Sequence, residues 1–138
     1  MIETYSSALT GIWVIIITVM VQALVASIAH RRQAKYIPGI VDGHLGHESF
    51  VFRSDRTFRN SLENIVPILA LAFMAIMLGL DAGRLAIILW VYAGARIVFT
   101  ALYYVIATEK NPSPRSYFFI IGFVANIVLA VDIGRALL

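Results

Sequence analysis

Four long apolar segments constrain the fold of this chain more than any other feature of its sequence. They cover residues 8–29, 62–80, 85–107 and 116–138 and carry few charged side chains. A helix needs about 20 mainly apolar residues to cross a bilayer, and a chain in lipid has to satisfy its backbone hydrogen bonds internally. We therefore predict an all-α integral membrane protein, in which four transmembrane helices form one bundle and residues 1–138 form a single domain.

The amino-acid composition agrees with membrane residence and restricts the chemistry. Of the 138 residues, 60% are hydrophobic and 14% are charged, whereas a soluble domain contains about 25% charged residues. No Lys or Arg precedes the first apolar segment, which is also too long for the core of a signal peptide, so we interpret it as a retained span. The chain has no cysteine, and a ligand would have to supply any thiol.

The distribution of basic residues predicts the orientation in the membrane. The connection at about residues 30–57 and the link at residues 108–115 lie on one side, and the turn at residues 81–84 lies on the other. The first side carries eight basic residues, namely Arg31, Arg32, Lys35, Arg53, Arg56, Arg59, Lys110 and Arg115, and the second carries Arg84 and Arg135. We expect the long loop in the cytoplasm and both termini outside, in a bacterial inner membrane. Topology thus explains the net charge of +3 without nucleic acid as a partner.

A polar stripe leads into the second span. At helical spacing Arg56, Asn60, Glu63 and Pro67 fall on one side of a helix, and Arg59 lies one turn before Glu63. A charged side chain that faces lipid costs about 2.5–3.5 kcal/mol on insertion scales. The stripe should therefore face protein or a watery cavity, and we predict that it binds a polar ligand at the membrane surface.

The third span carries a second polar stripe, formed by Arg96, Thr100 and Tyr103. Arg96 is eleven residues from either end of the predicted span, or about 16 Å deep. Its guanidinium needs a partner. The candidates are the neutral side chains of Gln22 and Asn126 and one charged side chain, that of Glu63. A structural role in the bundle and a role in a ligand site are both open at this point.

The start of the fourth span combines Arg115 and Ser116 with a preceding Pro-rich link. A helix start offers unpaired backbone N–H groups and a partial positive charge, so an anion such as a thiolate would be stabilised there. The alternative is that the pair is an interface anchor and a helix cap.

The loop contains two histidines, His44 and His47, close to Asp42 and Glu48. The His-x-x-His spacing is weak evidence for a metal site because no further His or Cys completes it. We predict no metal site and interpret both histidines as solvated loop residues.

Two series of residues resemble the MAPEG family, the membrane-associated proteins of eicosanoid and glutathione metabolism. One is Arg56-x-x-Arg59-Asn60-x-x-Glu63-x-x-x-Pro67, and the other runs from Ala93-Gly94-Ala95-Arg96 through Thr100 and Tyr103 to Arg115-Ser116. The resemblance implies a homotrimer of four-helix subunits, with glutathione as co-substrate between neighbouring subunits near the cytoplasmic face.

The resemblance also implies roles for nine residues. Arg56, Arg59, Asn60, Glu63 and Tyr103 would bind glutathione together with Arg31 or Arg32 at the end of the first span, and Arg115 with Ser116 would lie by the thiol and act in catalysis. Glutathione carries two carboxylates and one ammonium, which suit guanidinium groups and an acid such as Glu63.

Three functions are compatible with these residues. The first is a glutathione-dependent membrane transferase or peroxidase that acts on apolar electrophiles or lipid hydroperoxides, from the MAPEG resemblance. The second is a small four-span transporter, with Glu63 and Arg96 as its coupling or substrate groups. The third is a non-catalytic binding or scaffold protein that keeps the MAPEG-like fold.

Overall fold

The computed structural model describes residues 2–138 and contains four long helices. They are α1 (Ser6–Arg31), α2 (Phe50–Met77), α3 (Ala82–Val105) and α4 (Pro114–Leu137). Each is long and apolar enough to cross a membrane. The described residues contain no β-strand beyond one isolated bridge between Ile37 and Ile40. The predicted fold class, a four-helix all-α membrane bundle, is confirmed.

Helix α2 begins at Phe50, well before the predicted span at residue 62. The connection from α1 is therefore shorter than the predicted loop of residues 30–57. Residues 50–61 include Arg53, Asp55, Arg56 and Arg59. These charged side chains can lie in water when the first turns of α2 extend beyond the hydrocarbon and only the apolar part of the helix crosses the membrane. The other helix ends lie within three residues of the predicted spans.

Helix α3 is the centre of the bundle. It packs against each of the other three helices, most extensively against α4; α2 also contacts all three, whereas α1 and α4 do not pack against each other. Small residues permit this packing: Ala8, Ala72 and Ala93 are almost fully buried, and a Cβ atom added at Gly11 would lie only 3.2 Å from the Cβ of Leu89. Close approach at small residues is the usual way in which transmembrane helices gain van der Waals contact.

The two ends of the bundle differ. We call the end with the 32–49 connection and the 106–113 link the loop end. At the opposite end, Arg84 binds Asp132 through two hydrogen bonds of 2.6 and 3.0 Å, and the Tyr5 hydroxyl donates to the Leu80 carbonyl at 2.6 Å. These contacts join α3 to α4 and the N-terminal segment to the end of α2.

Arg96 lies inside the bundle and is only 5% exposed. Its Nη2 donates to Asn60 Oδ1 and to Ser61 Oγ, both at 2.8 Å, and its guanidinium carbon lies 4.3 Å from the centre of the Phe99 ring. Glu63, the charged partner considered from the sequence, is exposed and makes no ion pair among the described residues. Arg96 is therefore held by neutral groups that α2 turns toward α3.

We expect Arg96→Leu to lower the thermal stability of the protein in detergent. The change removes the donor from Asn60 Oδ1 and from the buried Ser61 Oγ, and an unsatisfied buried polar group costs about 1–3 kcal/mol. Arg59→Ala is the control, because it removes an exposed ion pair with Asp55 that contributes at most about 1 kcal/mol. An Arg96→Leu protein with the melting temperature of the parent would show that these hydrogen bonds do not hold the bundle together.

Candidate functional site

A recess of about 350 Å³ opens at the loop end between α2, α3 and α4. We call it the Arg115 recess. Its lining comprises Arg56, Asn60, Phe99, Tyr103, Asn111, Arg115, Ser116, Phe119 and Ile120. Five of the nine site residues predicted from the sequence lie here, namely Arg56, Asn60, Tyr103, Arg115 and Ser116. One side of the recess is thus cationic and polar, and the other is apolar.

The cap of α4 fixes Arg115 and Ser116. Ser113 is the N-cap and Pro114 follows it as the first helical residue, where a missing N–H is tolerated and φ is already suitable. The Ser113 backbone N–H donates to Ser116 Oγ at 3.1 Å, and the two hydroxyls are 3.3 Å apart. The Ser116 hydroxyl therefore lines the recess but is engaged in a capping box.

Arg115 is one of the two arginines that line the recess, the other being Arg56. Its guanidinium carbon lies 4.1 Å from the centre of the Tyr103 ring, and its Nη2 donates to the Thr108 carbonyl at 3.0 Å. Its Nη1 is buried and has no hydrogen-bond partner among the described residues. A buried cationic donor without a partner is expensive unless a ligand supplies the acceptor.

Asn60 connects the recess to the interior of the bundle. Its Oδ1 accepts the hydrogen bond from Arg96, while its backbone carbonyl accepts one from Asn64 Nδ2 at 2.7 Å. Because Arg96 occupies the side-chain oxygen, the amide Nδ2 is the group left to donate to a ligand. Arg56 lies one turn earlier on the same side of α2 and lines the same recess.

A second recess, of about 320 Å³, lies between α1, α2 and the loop. We call it the Arg59 recess, and it is lined by Ala23, Ala26, Ser27, His30, Arg31, Tyr36, Gly39, Val41, Asp55, Phe58 and Arg59. Arg59 Nε donates to Asp55 Oδ2 at 2.8 Å. Adjacent residues of an α-helix are about 100° apart, so Arg59 and Asn60 line different recesses although they are neighbours in sequence.

Glu63 and Arg32 line neither recess. Glu63 is exposed at the start of the apolar part of α2, on a helix face between those of Arg59 and Asn60. Arg32 borders a mainly apolar crevice with Val25, Ile28, Ala29, Phe50 and Val51. The nine predicted residues therefore do not form one site within a single chain.

The structure corrects the interpretation of His47 as a solvated loop residue, because its half-buried ring contacts Tyr103. His47 Nε2 lies 3.1 Å from the Tyr103 hydroxyl oxygen, and the two rings are stacked with their centres 5.9 Å apart. His44, in contrast, is exposed. A contact between residues 56 positions apart leaves no local signal in the sequence. Within residues 2–138 no group of His, Asp or Glu side chains has the arrangement of a metal site.

Comparison with known proteins gives a family but no individual relative. The MAPEG family model matches residues 7–135 of the chain, so the match covers all four helices. No curated protein and no solved structure matches the chain significantly. Together with four apolar helices, the match identifies an integral multi-pass membrane protein, related in general terms to membrane glutathione and eicosanoid metabolism. The chain belongs to the MAPEG family.

Proposed function

We propose that the protein binds glutathione and acts as a glutathione-dependent membrane transferase or peroxidase. The observation that carries this proposal is Arg115, which lines the Arg115 recess and whose buried Nη1 has no hydrogen-bond partner among the described residues. Glutathione supplies both the anion that this group needs and the thiol that a chain without cysteine lacks.

The charges at the loop end suit the tripeptide. Its two carboxylates pair with guanidinium groups of Arg31, Arg56 or Arg59, and its ammonium pairs with Glu63. Asn60 donates through Nδ2. Arg31 rather than Arg32 is the arginine of the first span in this assignment, because it lines the Arg59 recess together with Arg59.

Arg115 activates the thiol. A free cysteine thiol has a pKa near 8.5, and a neighbouring cation lowers that value because it favours the thiolate. The thiolate sulfur then forms a bond to the electrophilic carbon, the leaving group departs with its electron pair, and the thiol proton passes to water. With a lipid hydroperoxide the sulfur attacks the peroxide oxygen and an alkoxide leaves and is protonated; a second glutathione thiol then converts the sulfenic acid to disulfide and water.

The apolar side of the recess receives the electrophile. Phe99, Phe119 and Ile120 line it beside Arg115, and Phe119 stacks on the more exposed Phe123 with ring centres 6.4 Å apart. An apolar substrate dissolved in the bilayer therefore meets an apolar surface next to the thiol. This arrangement supports the proposal that the enzyme transfers glutathione to apolar electrophiles.

A homotrimer completes the site. Glu63 is exposed near the apolar part of α2, where an uncovered carboxylate is unfavourable by about 2.5–3.5 kcal/mol. If a second copy covers this face, Arg31, Arg59 and Glu63 of one subunit meet the Arg115 recess of its neighbour. The loop end faces the cytoplasm in this proposal, in a bacterial inner membrane.

The transporter alternative has less support. Its coupling groups would be Glu63 and Arg96, but Arg96 is fixed by two hydrogen bonds inside the bundle. The non-catalytic alternative keeps glutathione binding and lacks turnover, so a conjugation assay distinguishes it from the enzyme.

We expect Arg115→Ala to raise the thiol pKa of bound glutathione and to leave affinity for the peptide largely intact. Removal of the cation disfavours the thiolate, so the thiolate fraction at neutral pH falls about tenfold for each pKa unit. The measurement is a pH titration of thiolate absorbance beside chlorodinitrobenzene conjugation. The control is Arg135→Ala, which removes an exposed arginine near the opposite end. Equal thiol pKa values in the parent and Arg115→Ala would remove Arg115 from the mechanism.

Two adjacent arginines provide a matched test of glutathione binding. We expect Arg31→Ala and Arg59→Ala each to weaken binding by about 1.5–3 kcal/mol, as for a hydrogen bond to a charged group. Arg32→Ala makes the same change of charge one residue further on, and we expect it to leave the affinity unchanged. Calorimetry in detergent measures all three; equal losses for Arg31→Ala and Arg32→Ala would contradict the assignment of Arg31.

A complementation experiment tests whether neighbouring subunits share the site. We expect Arg59→Ala and Arg115→Ala chains, each of which alone has lowered conjugation activity at limiting glutathione, to recover part of this activity when they are co-expressed with different tags and purified as mixed oligomers. In a mixed trimer, one of the three interfaces joins an intact Arg59 to an intact Arg115. Mixed oligomers with no more activity than the pure variants would show that both arginines act within one chain.

A further inference from the structure

The loop between α1 and α2 is fastened to the end of α3 by Arg53. Arg53 Nη1 donates to the His47 carbonyl at 2.6 Å and to the Glu48 carbonyl at 3.0 Å. Its Nη2 donates to the Tyr104 carbonyl at 3.2 Å. These bonds tie the loop backbone at His47 to the turn of α3 that contains Tyr103.

The His47 side chain is held from two directions. Its ring meets the edge of Phe52, with centres 4.9 Å apart and planes at 70°. On the other side it stacks nearly parallel to Tyr103, at 5.9 Å and 20°. The hydrogen bond between His47 Nε2 and the Tyr103 hydroxyl, at 3.1 Å, completes this placement. The imidazole of His47 is therefore fixed in an orientation in which its Nε2 is hydrogen-bonded to the Tyr103 hydroxyl.

Tyr103 carries the effect of His47 to the Arg115 recess. Tyr103 is 8% exposed, lines the recess and stacks beneath the Arg115 guanidinium. His47 does not line the recess. The hydrogen bond to the phenol is therefore the contact that connects His47 to the recess.

The direction of the hydrogen bond depends on the charge of His47. A neutral imidazole with a bare Nε2 accepts the phenol hydrogen, whereas an imidazolium donates to the phenol oxygen. In the second case the phenol hydrogen is free to rotate toward another acceptor. Protonation of one nitrogen thus changes the hydrogen bonding of the Tyr103 hydroxyl, and Tyr103 lines the recess.

Three charged groups lie around His47 and the phenol that it contacts. Arg53 of α2 binds the His47 carbonyl, and Arg115 of α4 stacks on Tyr103. Glu48 in the loop accepts the Gly46 N–H at 2.9 Å; this bond and the one to its own backbone N–H hold the pKa of the Glu48 carboxyl below its usual value. The remaining titratable side chains around His47 are the phenols of Tyr103 and Tyr104 on α3. Histidine is the side chain whose charge ordinarily changes between pH 5 and 8.

We propose that His47 is a positioning residue whose protonation releases the Tyr103 hydroxyl to donate a hydrogen bond into the Arg115 recess. In its consequence for a thiol, this inference rests on the proposed glutathione site. A phenol that donates a hydrogen bond to the bound thiolate stabilises the thiolate, so protonation of His47 lowers the thiol pKa. The ionisation equilibrium of the thiol shifts toward the thiolate on the order of tenfold. When His47 is neutral, the hydroxyl donates to the imidazole and this stabilisation is lost.

The first experiment needs no glutathione. The protein is labelled with ¹³C-tyrosine, the Tyr103 signal is identified by its absence in Tyr103→Phe, and the signal is followed from pH 5 to 8.5. We expect one inflection in the parent and none in His47→Gln or His47→Asn. His44→Gln is the matched control, since it removes an exposed histidine of the same loop and should keep the inflection. A Tyr103 signal that is constant in the parent, or that titrates equally in both His47 variants, overturns the proposal.

The second experiment follows the thiolate absorbance of bound glutathione over the same pH range. We expect the parent to retain more thiolate at acid pH than a titration curve for a single proton allows. We expect the His47→Gln variant to follow such a single-proton curve and to bind glutathione at pH 8 with an affinity similar to that of the parent. Superimposable curves in two proteins that both bind glutathione overturn the role of His47. If the parent binds no glutathione, the proposed function fails, and the tyrosine titration still decides for or against the hydrogen-bond switch.

Discussion

The hydrogen bonds of Arg96 set the arrangement on which the rest of the site depends. In the interior of a membrane bundle a guanidinium has to find acceptors on neighbouring helices, since neither lipid nor water can supply them. Asn60 and Ser61 of α2 provide them at 2.8 Å. This pairing fixes the rotation of α2 about its own axis relative to α3. Asn60 and Arg56 thereby line the Arg115 recess, Arg59 lines the Arg59 recess, and Glu63 lies on the face between Arg59 and Asn60.

The rotation of α2 explains why a single chain holds only parts of the candidate site. Arg115, whose Nη1 is buried without a partner among the described residues, lines the Arg115 recess, and Arg31 of α1 and Arg59 of α2 line the Arg59 recess on a neighbouring face of α2. Glu63 lies on the ridge between them with its carboxylate exposed. A second copy of the chain against this ridge would satisfy the carboxylate and join the two recesses, which is the physical basis of the proposed shared site.

The loop belongs to the site as much as the helices do. Arg53 binds three backbone carbonyls, two in the loop and one at the end of α3, so the chain around His47 has a defined position. Through Tyr103 this segment contacts the ring that supports Arg115. The electrostatics of the recess therefore depend on residues from the loop, α2, α3 and α4 together.

The sequence by itself determined the fold class, because twenty apolar residues in a row have few alternatives to a membrane helix, and four such segments have few alternatives to a bundle. It also indicated Arg56, Asn60, Tyr103, Arg115 and Ser116, which do line one recess. It did not determine the start of α2, since charged residues outside the membrane leave no hydropathy signal. Nor did it separate Arg59 from Asn60 or reveal the neutral partners of Arg96 and the contact of His47. Those depend on the rotation of α2 and on how the loop folds back, and only tertiary packing decides both.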